Sequence, residues 1–214
     1  GNIHTNKVVG SVNKLKTKAA KFVPTSGIGH TRWATHGSPL LKNAHPIESS
    51  SKSISLVHNG IIENYAELKS KLQKKGVRFN SDTDTEVLAN LIESFLTDRT
   101  SIETAVSKSI KLTKGAYTVA VISNKHPGKI VFARTGYSGG IVVAKNGTSA
   151  IIASDIAAIT NNNYSVTFLE AIKPKYAVLN DLDDDVTNLY LTLLNDTDEL
   201  IRQIELLPTT TGLI

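Results

Sequence analysis

Apolar residues recur at helical spacing in four stretches of the first half of the chain. The spacing predicts helices over the second half of residues 1–22 and over residues 63–75, 83–96 and 102–112. In the third of these, Glu86 and Glu93 fall on the face that we expect to be solvated. Residues 53–57 alternate polar and apolar positions, which predicts a half-buried strand that ends in a turn at residues 58–60.

The second half of the chain contains short apolar runs separated by turn residues. These runs predict strands at residues 117–123, 129–133, 140–144, 149–153, 166–169, 176–179 and 187–193. A turn is expected at residues 126–128, and Asn146-Gly147 is the clearest hairpin signal. Asp196 or Thr197 is expected to cap a last short helix that runs to Leu207. Grouped helices followed by antiparallel hairpins predict the α+β class and a single domain over residues 1–214.

Composition and charge exclude several classes of function. The chain is 40% hydrophobic and 20% charged, which is typical of a globular protein, and its +5 charge is scattered over helical lysines without interleaved aromatic residues. We therefore expect no nucleic-acid partner. No apolar run approaches the roughly 20 residues of a membrane helix, so we expect no membrane partner and a cytoplasmic protein. The absence of cysteine excludes disulfides, thiolate metal sites and a cysteine nucleophile within these residues.

The densest cluster of polar residues lies at residues 29–37. The guanidinium of Arg32 matches a carboxylate in two parallel hydrogen bonds, so it can bind the α-carboxylate of an amino acid or form an internal salt bridge. Thr35 and His36 can add donors beside it. Trp33, the one tryptophan of the chain, is either a core residue or a wall of the ligand site.

Three histidines, His30, His36 and His45, lie in or close to this cluster. Structural, hydrogen-bonded histidines are one interpretation, and zinc ligands are the other. The spacings do not form a helical i, i+4 pair and no thiolate accompanies them. We therefore expect no metal.

Two further motifs offer groups that suit acyl-transfer chemistry. The Asn59 side chain and the Gly60 N–H can direct two donors at an oxyanion, although an ordinary Asn-Gly turn is the alternative. Within residues 81–86, a carboxylate such as Asp84 can bind a ligand ammonium. The alternative for this motif is N-capping by Ser81 or Asp82.

Four strings of the sequence, in this order, resemble the glutaminase domain of glutamine:fructose-6-phosphate aminotransferases, which are class II glutamine amidotransferases. They are residues 30–37, 43–46, 57–64 and 81–87. The resemblance implies an N-terminal-nucleophile hydrolase-like fold, a four-layer αββα sandwich with antiparallel sheets. It also implies attack by an N-terminal cysteine on the glutamine side-chain amide. The implied partners are L-glutamine and, in the complete enzyme, an isomerase domain that binds fructose 6-phosphate. No cofactor is implied, and homo-oligomerisation stays open.

The resemblance also assigns roles to individual residues. Arg32 resembles the clamp on the glutamine α-carboxylate, Asp84 the contact to the ammonium group, and Asn59 with Gly60 the oxyanion hole. The further glutamine contacts that it implies are Thr35 and His36, with Trp33 near the ammonia route.

The chain departs from the family pattern in three places. Within these 214 residues we expect no counterpart of the nucleophilic cysteine, of the first strand or of the isomerase domain, and residues 135–140 replace a Ser-Pro-Leu turn. We therefore expect a partial domain, with similarity strongest over residues 27–93 and weaker to about residue 179, that is inactive on its own. A non-catalytic module that binds glutamine or a partner is the alternative.

Overall fold

The computed structural model describes residues 2–19, 26–32, 38–136, 140–146, 149–159, 164–168, 175–180, 190–193 and 202–205. The helices are α1 (Val12–Ala19), α2 (Tyr65–Lys74), α3 (Asp84–Phe95) and α4 (Ile102–Leu112). The strands are β1 (Ile47–Glu48), β2 (Ile54–Gly60), β3 (Tyr117–Ser123), β4 (His126–Thr135), β5 (Val142–Asn146), β6 (Ser149–Ala153), β7 (Ser165–Phe168), β8 (Lys175–Asn180), β9 (Tyr190–Leu193) and β10 (Arg202–Glu205).

All the described strands pair in antiparallel fashion. The central sheet has the order β1-β2-β3-β4-β8, a second sheet has the order β6-β5-β7, and β9 pairs with β10. The register of β2 on β3 runs from Ile54 opposite Ser123 to Gly60 opposite Tyr117. This pairing carries the end of β2 directly to the start of β3.

Apolar side chains cover both faces of the central sheet. One face packs against helices α2 to α4, with Leu56 and Val121 of the sheet and Leu88 and Val106 of the helices in one fully buried cluster. On the other face, Phe132 packs with apolar residues of the second sheet. Burial of each such side chain stabilises the fold by about 1.5–3 kcal/mol. The described residues thus form three of the expected layers, helices on sheet on sheet, and the predicted α+β class is confirmed.

The predicted helices and hairpins in the middle of the chain are confirmed. Helix α2 ends as its sequence predicts, because Gly76 has a φ of +87° and the N–H groups of Gly76 and Val77 bond back to Gln73 and Leu72. The Asn146-Gly147 signal is confirmed by the register of β5 and β6, in which Asn146 lies opposite Ser149. No helix among the described residues is long and apolar enough to cross a membrane.

Two predictions of secondary structure in the second half of the chain are wrong. The expected turn at residues 126–128 lies inside β4, because Ser123 pairs with His126 and the hairpin closes at Asn124 and Lys125. The expected last helix contains the strand β10 instead, which pairs with β9 over four residues. In both places pairing with the preceding strand determines the structure, and the apolar spacing of one segment alone does not reveal that pairing.

Glu93 of α3 ties that helix to the β1–β2 hairpin. Its Oε1 accepts hydrogen bonds from Ser49, Ser51 and Ser53 at 2.5–2.6 Å, and its Oε2 accepts from Ser50 at 3.2 Å. Burial opposes ionisation of Glu93, but these hydrogen bonds outweigh it and keep the pKa of the carboxyl below its ordinary value. The hairpin is therefore held by one ionised carboxylate.

We expect Glu93→Gln to lower the free energy of unfolding by about 1–2 kcal/mol, because the amide replaces one acceptor oxygen by a donor facing hydroxyl groups. Urea unfolding at neutral pH measures this. Glu67→Gln is the matched control, since Glu67 is an exposed helical glutamate that pairs with Lys71, and it should unfold like the unaltered chain. Equal unfolding of the two variants would contradict the role of the serine cluster.

Candidate functional site

The end of strand β2 forms the floor of the candidate site. The turn that the sequence predicts at residues 58–60 is wrong, because Asn59 and Gly60 pair with Thr118 and Tyr117 of β3. Gly60 has a φ of +117°, and a Cβ there would lie 2.3 Å from the carbonyl oxygen of Ala116. Only glycine fits this crossing of two backbones, and the crossing holds the Gly60 N–H group in one position.

The segment of residues 26–32 delivers two polar side chains to the end of β2. The Nε2 atom of His30 lies 2.7 Å from Oδ1 of Asn59, a contact between residues 29 apart in the chain. Arg32 is half-buried, and its Nη1 donates to the carbonyl oxygen of Ser38 at 3.5 Å. The Arg32 charge acts on both His30 and His45. This guanidinium therefore lies on the side of the site that carries the histidines.

His45 is buried in a directed chain of hydrogen bonds. Its Nδ1 accepts from the backbone N–H of His58 at 3.4 Å, so the ring proton is on Nε2. Nε2 lies 3.2 Å from Oγ1 of Thr85, and that hydroxyl lies 3.1 Å from Nδ1 of His58. The Thr85 hydroxyl accepts from His45 and donates to His58. His45 is thus structural, as one of the two interpretations had it.

The electrostatic surroundings keep His45 neutral. Burial lowers the pKa of His45 to about 2, and the positive charges of Arg32 and Lys7 act in the same direction. Burial also lowers the pKa of His30, against the effect of its hydrogen bond to Asn59. Among the described residues, no three His, Cys, Asp or Glu side chains are grouped as a metal site requires.

The first turn of α3 places Asp84 beside the end of β2. Asp84 is 3% exposed, and its Oδ2 accepts from the N–H of Ile62 at 2.9 Å. A carboxylate has a second oxygen, so this bond still allows Oδ1 to accept from a ligand ammonium group. The helix begins at Asp84 with Thr83 as its N-cap.

The predicted caps of α3 and the predicted solvation of Glu86 are wrong. Ser81 bonds to Thr83, and Asp82 pairs with Lys42 and Asn43. Glu86 is 2% exposed and accepts the backbone N–H groups of Asn80 and Ser81 at 2.8 and 2.5 Å. Apolar periodicity describes the helix alone. It did not reveal these bonds because they are made by the preceding loop, which folds back over the helix.

The structure joins all four sequence motifs at one end of β2. The pair His30–Asn59 joins the first motif to the third, and Thr85 joins the fourth to His45 of the second. Of the predicted site residues, Arg32, Asn59, Gly60 and Asp84 are described, and Trp33, Thr35 and His36 lie outside the described residues. Sequence reasoning missed the supporting residues Thr85 and Glu86, whose only signal was their place directly after Asp84.

Comparisons with known proteins agree with this geometry. Residues 30–161 match the family model of the glutamine amidotransferase domain. The chain is 44% identical over 171 residues to a glutamine–fructose-6-phosphate aminotransferase (isomerizing) of Bacteroides thetaiotaomicron. It is 37% identical over 203 residues to the protein of the same name from Thermococcus kodakarensis. These matches cover 78% and 94% of the chain but only 28% and 32% of those relatives.

Solved structures with a similar fold include two enzymes. The glutamine phosphoribosylpyrophosphate amidotransferase of Bacillus subtilis is 25% identical with a TM-score of 0.56, and an allosteric regulatory enzyme of purine biosynthesis is 26% identical with a TM-score of 0.58. Each match covers 71% of this chain and 32% of the solved chain. The fold is that of the N-terminal-nucleophile hydrolases, and the chain belongs to the glutamine amidotransferase family.

Proposed function

We propose that the site at the end of β2 binds L-glutamine and polarises its side-chain amide. In this proposal the chain is the glutaminase part of an aminotransferase that delivers the nitrogen to fructose 6-phosphate. The family match and the names of the relatives support the substrate pair. Because the 214 residues contain no cysteine, the steps assigned to them are binding and polarisation, not the nucleophilic attack. An isomerase domain that binds fructose 6-phosphate is the proposed partner.

One observation carries the proposal: an anionic side chain and the segment that carries a cationic one both reach the end of β2, where Asn59 and Gly60 have N–H donors. Asp84 bonds the N–H of Ile62, two residues beyond Gly60, and His30, two residues before Arg32, bonds Asn59. A free amino acid carries one carboxylate and one ammonium group, which Arg32 and Asp84 complement. In this proposal, Asn59 and Gly60 donate to the oxygen of the side-chain amide.

The resemblance adds further roles to this proposal. Thr35 and His36 would contribute hydrogen bonds to glutamine, and Trp33 would line the route by which ammonia leaves. These three assignments rest on the matching motif.

Arg32→Ala tests the orientation of the ligand. We expect L-glutamine to bind about 30-fold more weakly, or about 2 kcal/mol, because a charge-assisted contact to the α-carboxylate is lost. The companion ligand is 4-aminobutyramide, which lacks only that carboxylate and should bind the variant and the unaltered chain equally. Isothermal titration calorimetry measures both ligands.

Arg78→Ala is the matched control for loss of a positive charge, because Arg78 lies in the loop after α2, outside the four motifs. It should leave both affinities unchanged. An Arg32→Ala variant that binds glutamine normally, or that loses affinity for both ligands alike, would remove Arg32 from the carboxylate position.

A further inference from the structure

We propose that His30 is a positioning residue that fixes which end of the Asn59 amide faces the ligand. The inference rests on the proposed function, in which Asn59 supplies an N–H donor to the oxygen of the glutamine side chain. It assigns to His30 a role distinct from ligand contact and from metal binding.

The direction of the His30–Asn59 hydrogen bond follows from the atoms involved. Oδ1 of Asn59 can only accept, so Nε2 of His30, 2.7 Å away, is the donor and carries the ring proton. An amide whose oxygen is bonded in this way has its NH₂ group on the opposite side. The imidazole therefore selects the orientation in which Asn59 presents donors to the ligand.

The surroundings of His30 keep that proton on Nε2. Its Nδ1 is shielded from solvent and has no hydrogen-bond partner among the residues that the structure describes. A proton there would leave a buried, unsatisfied N–H group, which costs about 1–3 kcal/mol. Burial also lowers the pKa of His30, which favours the neutral ring, and the positive charge of Arg32 acts in the same direction.

The His30 ring is itself held in place by the buried cluster. It lies against the ring of His45, with centroids 4.4 Å apart and planes tilted by 38°. His45 is fixed in turn by its bonds to the His58 N–H and the Thr85 hydroxyl. The orientation of Asn59 is thereby set by side chains from three of the four motifs.

Without this constraint, the amide of Asn59 has two orientations of similar shape. In the reversed one, Oδ1 would face the oxygen of the glutamine amide, and two acceptors would repel each other. A histidine whose Nε2 carries the proton removes that orientation, because the Asn59 NH₂ would then face an N–H group.

The test compares two substitutions that introduce side chains of nearly equal shape. His30→Gln keeps an N–H donor near the position of the imidazole Nε2, whereas His30→Glu offers only acceptors when ionised. We expect His30→Gln to bind L-glutamine within about threefold of the unaltered chain and His30→Glu to bind at least about tenfold more weakly. The same pair is measured with Asn59→Ala, where the difference should shrink to the part that the added charge causes, because the proposed effect of His30 acts through Asn59.

The double-variant comparison also separates this effect from the added negative charge, which is present in both backgrounds. Equal affinities of His30→Gln and His30→Glu, or a difference that is undiminished in the Asn59→Ala background, would overturn the inference. Thermal unfolding of each variant shows whether it is folded.

Long-range ¹H–¹⁵N correlation spectra of the unaltered chain give a readout that needs neither a variant nor a ligand. We expect a neutral His30 with its proton on Nε2, and a proton on Nδ1 would overturn the inference. If the unaltered chain bound no glutamine, the proposed function would fail, and the spectra alone would decide the state of His30.

Discussion

Gly60→Ala is expected to lower the free energy of unfolding by about 4 kcal/mol or more and to abolish glutamine binding. The φ of +117° at Gly60 is one that residues with a side chain rarely adopt, and the new Cβ would lie 2.3 Å from the Ala116 carbonyl oxygen and 2.6 Å from Cα of Tyr117. Both obstacles are backbone atoms, in the first residue of β3 and in the residue before it, so the two backbones must separate to admit the methyl group. Chemical denaturation measures the loss of stability, and calorimetry measures the loss of binding.

Gly76→Ala separates the two causes of this destabilisation. Gly76 also has a positive φ, of +87°, but a Cβ there would meet no atom within 4 Å. It should therefore lose only about 1–2 kcal/mol for the left-handed backbone and keep its affinity for glutamine. Similar losses at Gly60 and Gly76 would mean that the strands at the end of β2 can move apart at little cost.

Local patterns predicted the elements whose own residues determine them. Helix α3 has a continuous apolar face, and Val87, Leu88 and Ile92 of that face are fully buried. The strand β10 was predicted as a helix, because four residues have too few positions to distinguish the two periodicities. Its partner β9 decided the outcome, and that pairing is not visible in either segment alone.

The candidate site was predictable as a set of motifs but not as an arrangement. Residue type pointed to Arg32 and Asp84 because their groups match the two charges of an amino acid. The contacts that bring the motifs together join residues far apart in sequence, such as His45 to Thr85 and His30 to Asn59, which are 40 and 29 residues apart. Spacing along the chain carries no information on such pairs.

Glu86 shows why polarity is an uncertain guide at a functional site. Its position in α3 suggested a solvated face, yet it is buried because two backbone N–H groups of the preceding loop need an acceptor. The same loop carries Asp82, which joins Lys42 and Asn43. Buried acceptors of this kind fix the loop that leads into Asp84.

As the pH is lowered below about 6.5, the free energy of unfolding is expected to decrease. His45 alone contributes up to about 1.4 kcal/mol per pH unit to this decrease. The pKa of His45 is about 2 in the folded chain, whereas an unfolded histidine titrates near about 6.5. Above that pH both states have a neutral ring, and the stability contribution is fully present. Below it the unfolded chain binds a proton that the folded chain does not, so stability falls with pH. Between about pH 7 and pH 4.5 the loss amounts to about 2.5 kcal/mol.

Denaturant unfolding at several pH values, for the unaltered chain and for His45→Asn, isolates this contribution. The variant should be less stable at neutral pH, because it loses the bonds to Thr85 and His58, but its stability should depend less steeply on pH below about 6.5. His126→Asn, in the β3–β4 hairpin away from the cluster, should keep the full slope. An unchanged slope in His45→Asn would mean that the ring accepts a proton in the folded chain. The directed chain from His45 through Thr85 to His58 would then have to open without loss of the fold.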